Sequence, residues 1–373
     1  MRYAATSDIH FLHDRTPTKH IVQSFVNCVL TTSNKDLDVL FVIGDLFDQR
    51  VDLNNTDVHW IIRFIDMLLN YCFKHNIQLR VLEGTPSHDY LQSQRLVDMN
   101  DIRDNKVDLK YVRTLDIEYF PEYNKHVLYI PDEWVNNQTD LEIQINEKLA
   151  FYNIKQVDIS MLHGSFKYQT KGMNTKSFSY DEDYFLNLTK ELIHIGHHHN
   201  YTTYDRIIAN GSLERLAHNE EEDKGYIVVQ DGTPVFIVNP NSYIYKTIHL
   251  TAKTTLASLD KQIFKYHQNA HIRLRMSRDH PFGAIWHDLR IRYADYQLKK
   301  QIKELSSEVN SATYILSDDE IELSENLILD TNIKETLQTQ ILSKHTFTQT
   351  EHIKLNEYLS LFDMVQSDET LLS

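Results

Sequence analysis

Apolar residues along this chain fall into short continuous runs separated by longer periodic ones. Residues 2–6 (Arg-Tyr-Ala-Ala-Thr), 39–43 (Val-Leu-Phe-Val-Ile) and 77–82 (Ile-Gln-Leu-Arg-Val-Leu) are short, apolar and followed by polar or glycine turns, which predicts buried strands. Helical patterns separate them, over roughly 18–34 and 56–75. In the second, Ile61, Ile62, Phe64, Ile65, Leu68, Leu69 and Cys72 recur at helical spacing. Strand and helix in alternation indicate an α/β layered core.

Further strands are predicted at 127–130, 157–162, 192–195, 206–209, 225–230 and 234–238, with a helix near 140–152. The later strands come without intervening helices. That change suggests a second sheet stacked on the first, with antiparallel strands closing the domain near residue 240. A smaller mixed module follows, over about 245–325. Two amphipathic helices are predicted in the tail, near 331–344 and 349–364, the second carrying Ile353, Leu355, Tyr358, Leu359, Phe362 and Met364. The expected domains are therefore 1–242, 243–326 and 327–373.

Length and composition agree with a folded chain. Its 373 residues exceed one typical domain, and 41% hydrophobic with 24% charged residues excludes a disordered protein. No window approaches the roughly 18 apolar residues of a membrane span, and the start of the chain reads as a strand, not a signal peptide. A cytoplasmic protein with no membrane partner is the expectation. Cys28 and Cys72 sit in helical apolar patterns and read as buried thiols.

A net charge of -15 opposes nucleic-acid binding, but -11 of it falls at residues 304–373. Between His271 and Lys303 the balance is +5, carried by Arg273, Arg275, Arg278, Arg290, Arg292, Lys299, Lys300 and Lys303 against three aspartates. That stretch is either a solvated charged face or a basic patch; Arg273, Arg275, Arg290, Arg292, Lys299 and Lys300 are its candidate DNA contacts.

Histidine is the unusual component, with 20 copies, and several lie beside glycine or aspartate where predicted strands end. Asp8-Ile9-His10 follows the first strand, and in extended chain its two polar side chains point the same way. Gly44-Asp45-Leu46-Phe47-Asp48 follows the second. Gly84-Thr85-Pro86-Ser87-His88-Asp89 follows the third, delivering a histidine beside an aspartate able to orient or charge it. His163-Gly164 and Gly196-His197-His198-His199 follow two later strands. Each cluster alone is explained by turn chemistry, but α/β folds place ligands at strand ends, and five in succession point to a metal. Asp and His donors suit Mn²⁺, Fe²⁺ or Zn²⁺, and two cysteines exclude a structural zinc knot.

In this order, Asp-x-His, Gly-Asp-x-x-Asp, a Gly-Asn-His-Asp-like turn, His-Gly and Gly-His-x-His resemble the calcineurin-like metallophosphoesterases, over residues 1 to about 240. The segments Ile207-Ile208-Ala209-Asn210-Gly211-Ser212-Leu213-Glu214-Arg215 and Glu222-Asp223-Lys224-Gly225-Tyr226 are similar to those closing the SbcD/Mre nuclease domain. The resemblance implies an α/β fold of two stacked mixed β-sheets flanked by helices, a four-layer metallophosphoesterase sandwich. It also implies a smaller α+β capping module and a C-terminal helical segment. One metal would be held by Asp8, His10 and His199 and the other by His163 and His197, with Asp45 bridging. Ser87 stands where the family places asparagine, as a poorer ligand. His88, backed by Asp89, would be the catalytic histidine, and Asp48 would hold the Asp45 loop or a ligand; His198 would point away.

The implied activity is a DNA nuclease using two divalent ions, Mn²⁺ foremost, with Mg²⁺, Fe²⁺ or Zn²⁺ as alternatives. Its implied partners are DNA, an SbcC/Rad-type ATPase docked on the tail helices, and a second copy of the chain within a heterotetramer. A bacterial or phage-infected cytoplasm would be its setting. A stand-alone phosphoesterase of small molecules and a non-catalytic binding subunit are the competing readings.

Overall fold

In the computed structural model, described over residues 1–52, 54–172 and 178–303, the chain enters through β1 (Tyr3–Thr6), passes α1 (Thr18–Cys28) into β2 (Val39–Ile43), and returns along α2 (Val58–His75) to β3 (Gln78–Leu82). Helical crossovers make these three strands parallel. The sequence pattern extends α1 to residue 34, but the helix stops at Cys28. Asn34 explains the stop: its side-chain amide donates to Val29 O at 2.8 Å and to Tyr226 Oη at 2.7 Å, fixing a separate 3₁₀ turn at Thr32–Asn34. Asn76 ends α2 in the left-handed conformation, with its amide returned to Cys72 and Phe73 carbonyls.

Beyond β3 come the short α3 (Pro86–Asp89), α4 (Gln94–Asp101) and the parallel β4 (Leu109–Val112), then a hairpin of β5 (Asp116–Phe120) and β6 (Lys125–Ile130). The chain continues through α5 (Gln138–Tyr152), β7 (Val157–His163), α6 (Glu182–Leu188), β8 (Thr189–Gly196), β9 (Thr202–Tyr204) and β10 (Ile207–Ala209). β11 (Gly225–Gln230) and β12 (Thr233–Val238) complete it. The first sheet has the order β12-β11-β1-β2-β3-β4 and the second β5-β6-β7-β8-β10-β9. The last two strands do not extend the second sheet: β11 pairs antiparallel with β1, so the chain returns to its own beginning.

Side-chain alternation builds the layers. From β2, Val39, Phe41 and Ile43 meet Val127, Tyr129, Ile159 and Met161 of the second sheet, while Leu40 and Val42 pack under α1, α2 and α4. The far side of the second sheet is covered by α5 and α6 through Leu141, Ile145, Leu149 and Phe185. The result is a mixed α/β fold of two mixed sheets flanked by helices. Strands buried on both faces place their side chains in packed cores, which leaves the C-terminal strand ends to carry polar chemistry. Cys28 and Cys72 are free and buried, and burial pushes their thiols up to about 11 and about 12.

β13 (Tyr245–His249), β14 (His271–Ser277) and β15 (Gln297–Lys303) form a separate three-stranded sheet. It is wholly parallel, with α7 (Leu256–Ile263), α8 (Pro281–Ala284) and α9 (Trp286–Arg292) in its crossovers. The expected α+β character is thus replaced, over the described residues, by strand–helix alternation. Its core is Ile248, Leu259, Ile263, Ile272, Leu274, Met276, Leu289 and Tyr293. The end of the expected capping module and the tail helices fall at 304–373, outside the described residues. Among the described residues no helix is long and apolar enough to cross a membrane.

Candidate metal centre

The five sequence clusters meet. Asp8 and His10 follow β1, Asp45 and Asp48 follow β2, and His88 lies on α3 beyond β3. His163 ends β7, and His197 and His199 follow β8. Two groups of three bring ligand atoms within 4.8 Å of one another: Asp8, His10 and His199, and Asp45, His163 and His197. A third, His10, Asp48 and His88, shares His10 with the first.

The loop after β1 is not the extended chain the sequence suggests. Asp8 and His10 take φ of 52° and 54°, because Ile9 and His10 both donate to Asp45 O, at 2.8 and 3.1 Å. Asp45 (φ 49°) and His197 (φ 94°) are left-handed too. Each such non-glycine residue costs on the order of 1–3 kcal/mol, and strain of this kind persists where surrounding structure aims side chains for use.

The rings of His163, His10 and His199 each present one nitrogen to the centre while the other is held from behind. His163 Nδ1 donates to Ile43 O at 2.8 Å, leaving Nε2 3.2 Å from Asp45 Oδ2. His10 Nδ1 meets Asp48 Oδ1 at 3.0 Å, and His199 Nδ1 meets Glu220 Oε1 at 2.7 Å. Their Nε2 atoms face each other at 3.1 Å, with Asp8 Oδ1 4.0 Å from His199 Nε2. Backing a ring with a carboxylate or carbonyl is how proteins orient metal-binding imidazoles. Asp8 Oδ2 and His163 Nε2 are buried with no hydrogen-bond partner. Two orphaned polar atoms at the meeting point of paired donors fit a metal ion.

Electrostatics agree with the geometry. Burial penalises a charged His163, yet the Asp45 carboxylate outweighs it and holds the imidazole well above its ordinary value. Burial acts against Asp45 as well, but His163 and then His10 hold it well below the usual carboxylate range. Both directions have one cause: across 3.2 Å the imidazole and the carboxylate each stabilise the other's charge. For His199, burial is again overcome, here by Glu220, and its pKa rises to about 9.

Three sequence expectations change. Ser87 is exposed on α3, and it is Thr85 that enters the site: its amide donates to Asp45 Oδ1 at 2.6 Å and its hydroxyl to Asp45 Oδ2 at 3.2 Å. The expected Ser87 ligand is misplaced because the turn wraps into a helix after Pro86, which carries Ser87 outward. Asp89 does not back His88. Fully buried, it accepts from Phe47 N at 2.9 Å and Gly84 N at 2.8 Å, tying the β2 and β3 loops together. His88 is held instead by Asp48, whose carbonyl accepts from Nδ1 at 3.0 Å. Finally, the basic residues divide. Arg273 and Lys299 are register partners on one sheet face, whereas Lys300 lies over Trp286 on the helical face and Arg292 is paired with Asp260. Arg275 shares the Arg273 face by alternation, and Arg290 is on α9. His198, as expected, turns aside, with Nε2 2.9 Å from Ser165 Oγ.

Three participants were missed in sequence. Asp132 accepts from Thr85 Oγ1 at 3.0 Å and lies 3.8 Å from His197 Nδ1. The rule that found the other clusters, a carboxylate just past a strand end, applies to it after β6. Glu220 and Lys224, paired at 2.9 Å, support His199. Within the acidic run 220–223, nothing distinguishes Glu220 as the one that turns inward.

Gly84 shows how tightly the loops are set: a Cβ there would lie 2.1 Å from Asp45 N and 2.3 Å from Asp45 Oδ1. Gly84→Ala is expected to lower stability by about 1–3 kcal/mol through overpacking. Thermal unfolding in EDTA measures this without any metal contribution, and an unchanged melting temperature would refute the close approach.

No model of a known protein family matches this chain, and no curated protein sequence matches it. Among solved structures 37 chains match; one is similar at a TM-score of 0.37 and 12% identity, covering 63% of this chain and 98% of that chain.

Proposed function

We propose that the chain is a metal-dependent phosphodiesterase of the calcineurin-like metallophosphoesterase type, acting on DNA as an SbcD/Mre-like nuclease subunit. One observation carries the reading: Asp8, His10, Asp45, His163, His197 and His199, from strand ends in both sheets, converge as two adjoining donor sets with His88 beside them. Two divalent ions suit those sets, and the oxygen and imidazole donors without sulfur favour Mn²⁺, with Mg²⁺, Fe²⁺ and Zn²⁺ as alternatives. When bound, such ions supply Lewis acidity and lower the pKa of a water enough for attack on phosphorus.

The chain's own groups do the rest. Asp45 reaches both sets, lying 3.2 Å from His163 Nε2 and 3.8 Å from His10 Nε2. His88 donates through Nδ1 to the Asp48 carbonyl, so its Nε2 is the nitrogen available to a substrate oxygen. From there it can deliver a proton to the departing alkoxide. The Asp48 carboxylate, 3.8 Å from His88 and 3.0 Å from His10, stands behind both rings and fixes the orientation of the His10 ring it meets.

The choice of DNA is supported by the segment from Ile207 to Arg215 and by Arg275 and Lys299 on one face of the three-stranded sheet, where the neighbouring Arg273 is buried and bound to Asn219. An SbcC/Rad-type ATPase and a second copy of the chain complete the proposed assembly. The test is incubation with linear duplex and single-stranded DNA, and in parallel with a chromogenic phosphodiester, in Mn²⁺ and in EDTA. Cleavage of DNA in Mn²⁺ alone is expected. Turnover of the chromogenic ester without DNA cleavage would move the reading to small molecules, and no turnover of either would end it.

A further inference from the structure

His199 is the one ligand candidate whose backing group comes from outside the strand-end loops, and that group sits on a segment fastened to the three-stranded sheet. Glu220 Oε1 meets His199 Nδ1 at 2.7 Å. Its other oxygen faces Lys224 Nζ at 2.9 Å and accepts from Leu216 N at 3.2 Å. Lys224 in turn donates to His199 O at 2.7 Å, so both ends of the histidine are held by one ion pair.

The neighbours of Glu220 in sequence point the opposite way. Glu221 Oε1 accepts from Thr247 N at 2.6 Å and its Oε2 faces Lys246 Nζ at 2.5 Å, both on β13. Asn219 Oδ1 accepts from Arg273 Nη2 at 3.1 Å, on β14. Arg273 Nε also reaches Thr247 Oγ1 at 3.3 Å, its register partner. Three consecutive side chains therefore alternate between sheet, ligand and sheet. Glu221 engages a backbone amide of β13, so the segment is pinned to the strand itself and not only to mobile side chains.

We infer that Glu220 is a positioning residue for His199 and that the three-stranded sheet, through Asn219 and Glu221, is an integral part of the metal centre. The inference rests on the metal reading above but not on the identity of the substrate. A carboxylate behind an imidazole fixes ring orientation and strengthens its donor nitrogen, and losing such a partner typically lowers metal affinity about 10–100-fold. A carboxylate on an unfastened loop would give less, because its own ordering would then oppose ligand binding.

The experiment is Mn²⁺ calorimetry on the full chain, with thermal melting in EDTA as the check on folding. Glu220→Ala is expected to weaken the site about 10–100-fold, with Glu220→Gln restoring much of the loss because its carbonyl still accepts from Nδ1. Asn219→Ala with Glu221→Ala, neither touching a ligand, is expected to weaken Mn²⁺ binding several-fold at unchanged stoichiometry. A double variant that folds and binds Mn²⁺ like wild type overturns the role of the sheet. Wild-type affinity in folded Glu220→Ala overturns the whole inference. Should Mn²⁺ bind as described while DNA stays intact, only the nuclease reading falls.

Discussion

Asp45→Asn is expected to reduce Mn²⁺-dependent DNA cleavage by roughly 10³-fold or more. Its Oδ2 is the atom that reaches both donor sets, and Thr85 holds the carboxylate in place, its amide donating to Oδ1 and its hydroxyl to Oδ2. Replacing the carboxylate by an amide keeps the shape but removes the charge between two positively polarised centres. Several kcal/mol of transition-state stabilisation at about 1.4 kcal/mol per tenfold gives that estimate. Mn²⁺ stoichiometry, measured by calorimetry, should fall with activity. If the variant cleaves DNA within about tenfold of wild type at saturating Mn²⁺, the two sets do not work as one centre.

The second expected result separates proton delivery from metal binding. His88→Ala should lower the cleavage rate about 10²–10⁴-fold, the usual contribution of general acid–base catalysis, while leaving Mn²⁺ affinity intact. The geometry behind this split is specific: Nδ1 is committed to a backbone carbonyl, the side chain is 38% exposed, and the ring meets His10 only edge-on at 5.3 Å. Partial exposure also means that the substitution should not disturb folding. The overlap of His10, Asp48 and His88 as a third ligand-like group provides the rival outcome. Loss of Mn²⁺ binding in the variant would make His88 a ligand and remove its assignment as the acid.

These expectations depend on placements of different legibility. Strand ends were readable because β1, β2, β3 and β7 are short, largely apolar runs followed at once by a polar residue or a glycine, and that pattern is local. Asp8, His10, Asp45, His163, His197 and His199 could be singled out on that signal. The Gly84 turn was harder. Its sequence offers Thr85, Ser87, His88 and Asp89 within five residues, and which of them faces inward is set by where the helical turn begins. Asp89 looked like a partner for its neighbour and is in fact buried against two loop amides, a destination fixed by chain segments far away in sequence.

The three-stranded module was the least legible. In β14, Ile272, Leu274 and Met276 alternate with His271, Arg273 and Arg275, a period-two pattern that the overall excess of positive charge obscures. Reading the stretch as a basic patch merged two faces that the sheet keeps apart.

Taken alone, the sequence determined the α/β alternation, the positions of the site-bearing turns and the donor chemistry, because hydrophobic periodicity and residue type are local properties. Only the tertiary structure decided that β11 returns to pair with β1, that Thr85 and not Ser87 enters the site, and that Glu220 stands behind His199. Each of those depends on a contact between residues remote in the chain, where the outcome is set by packing and by which polar groups must find partners once buried.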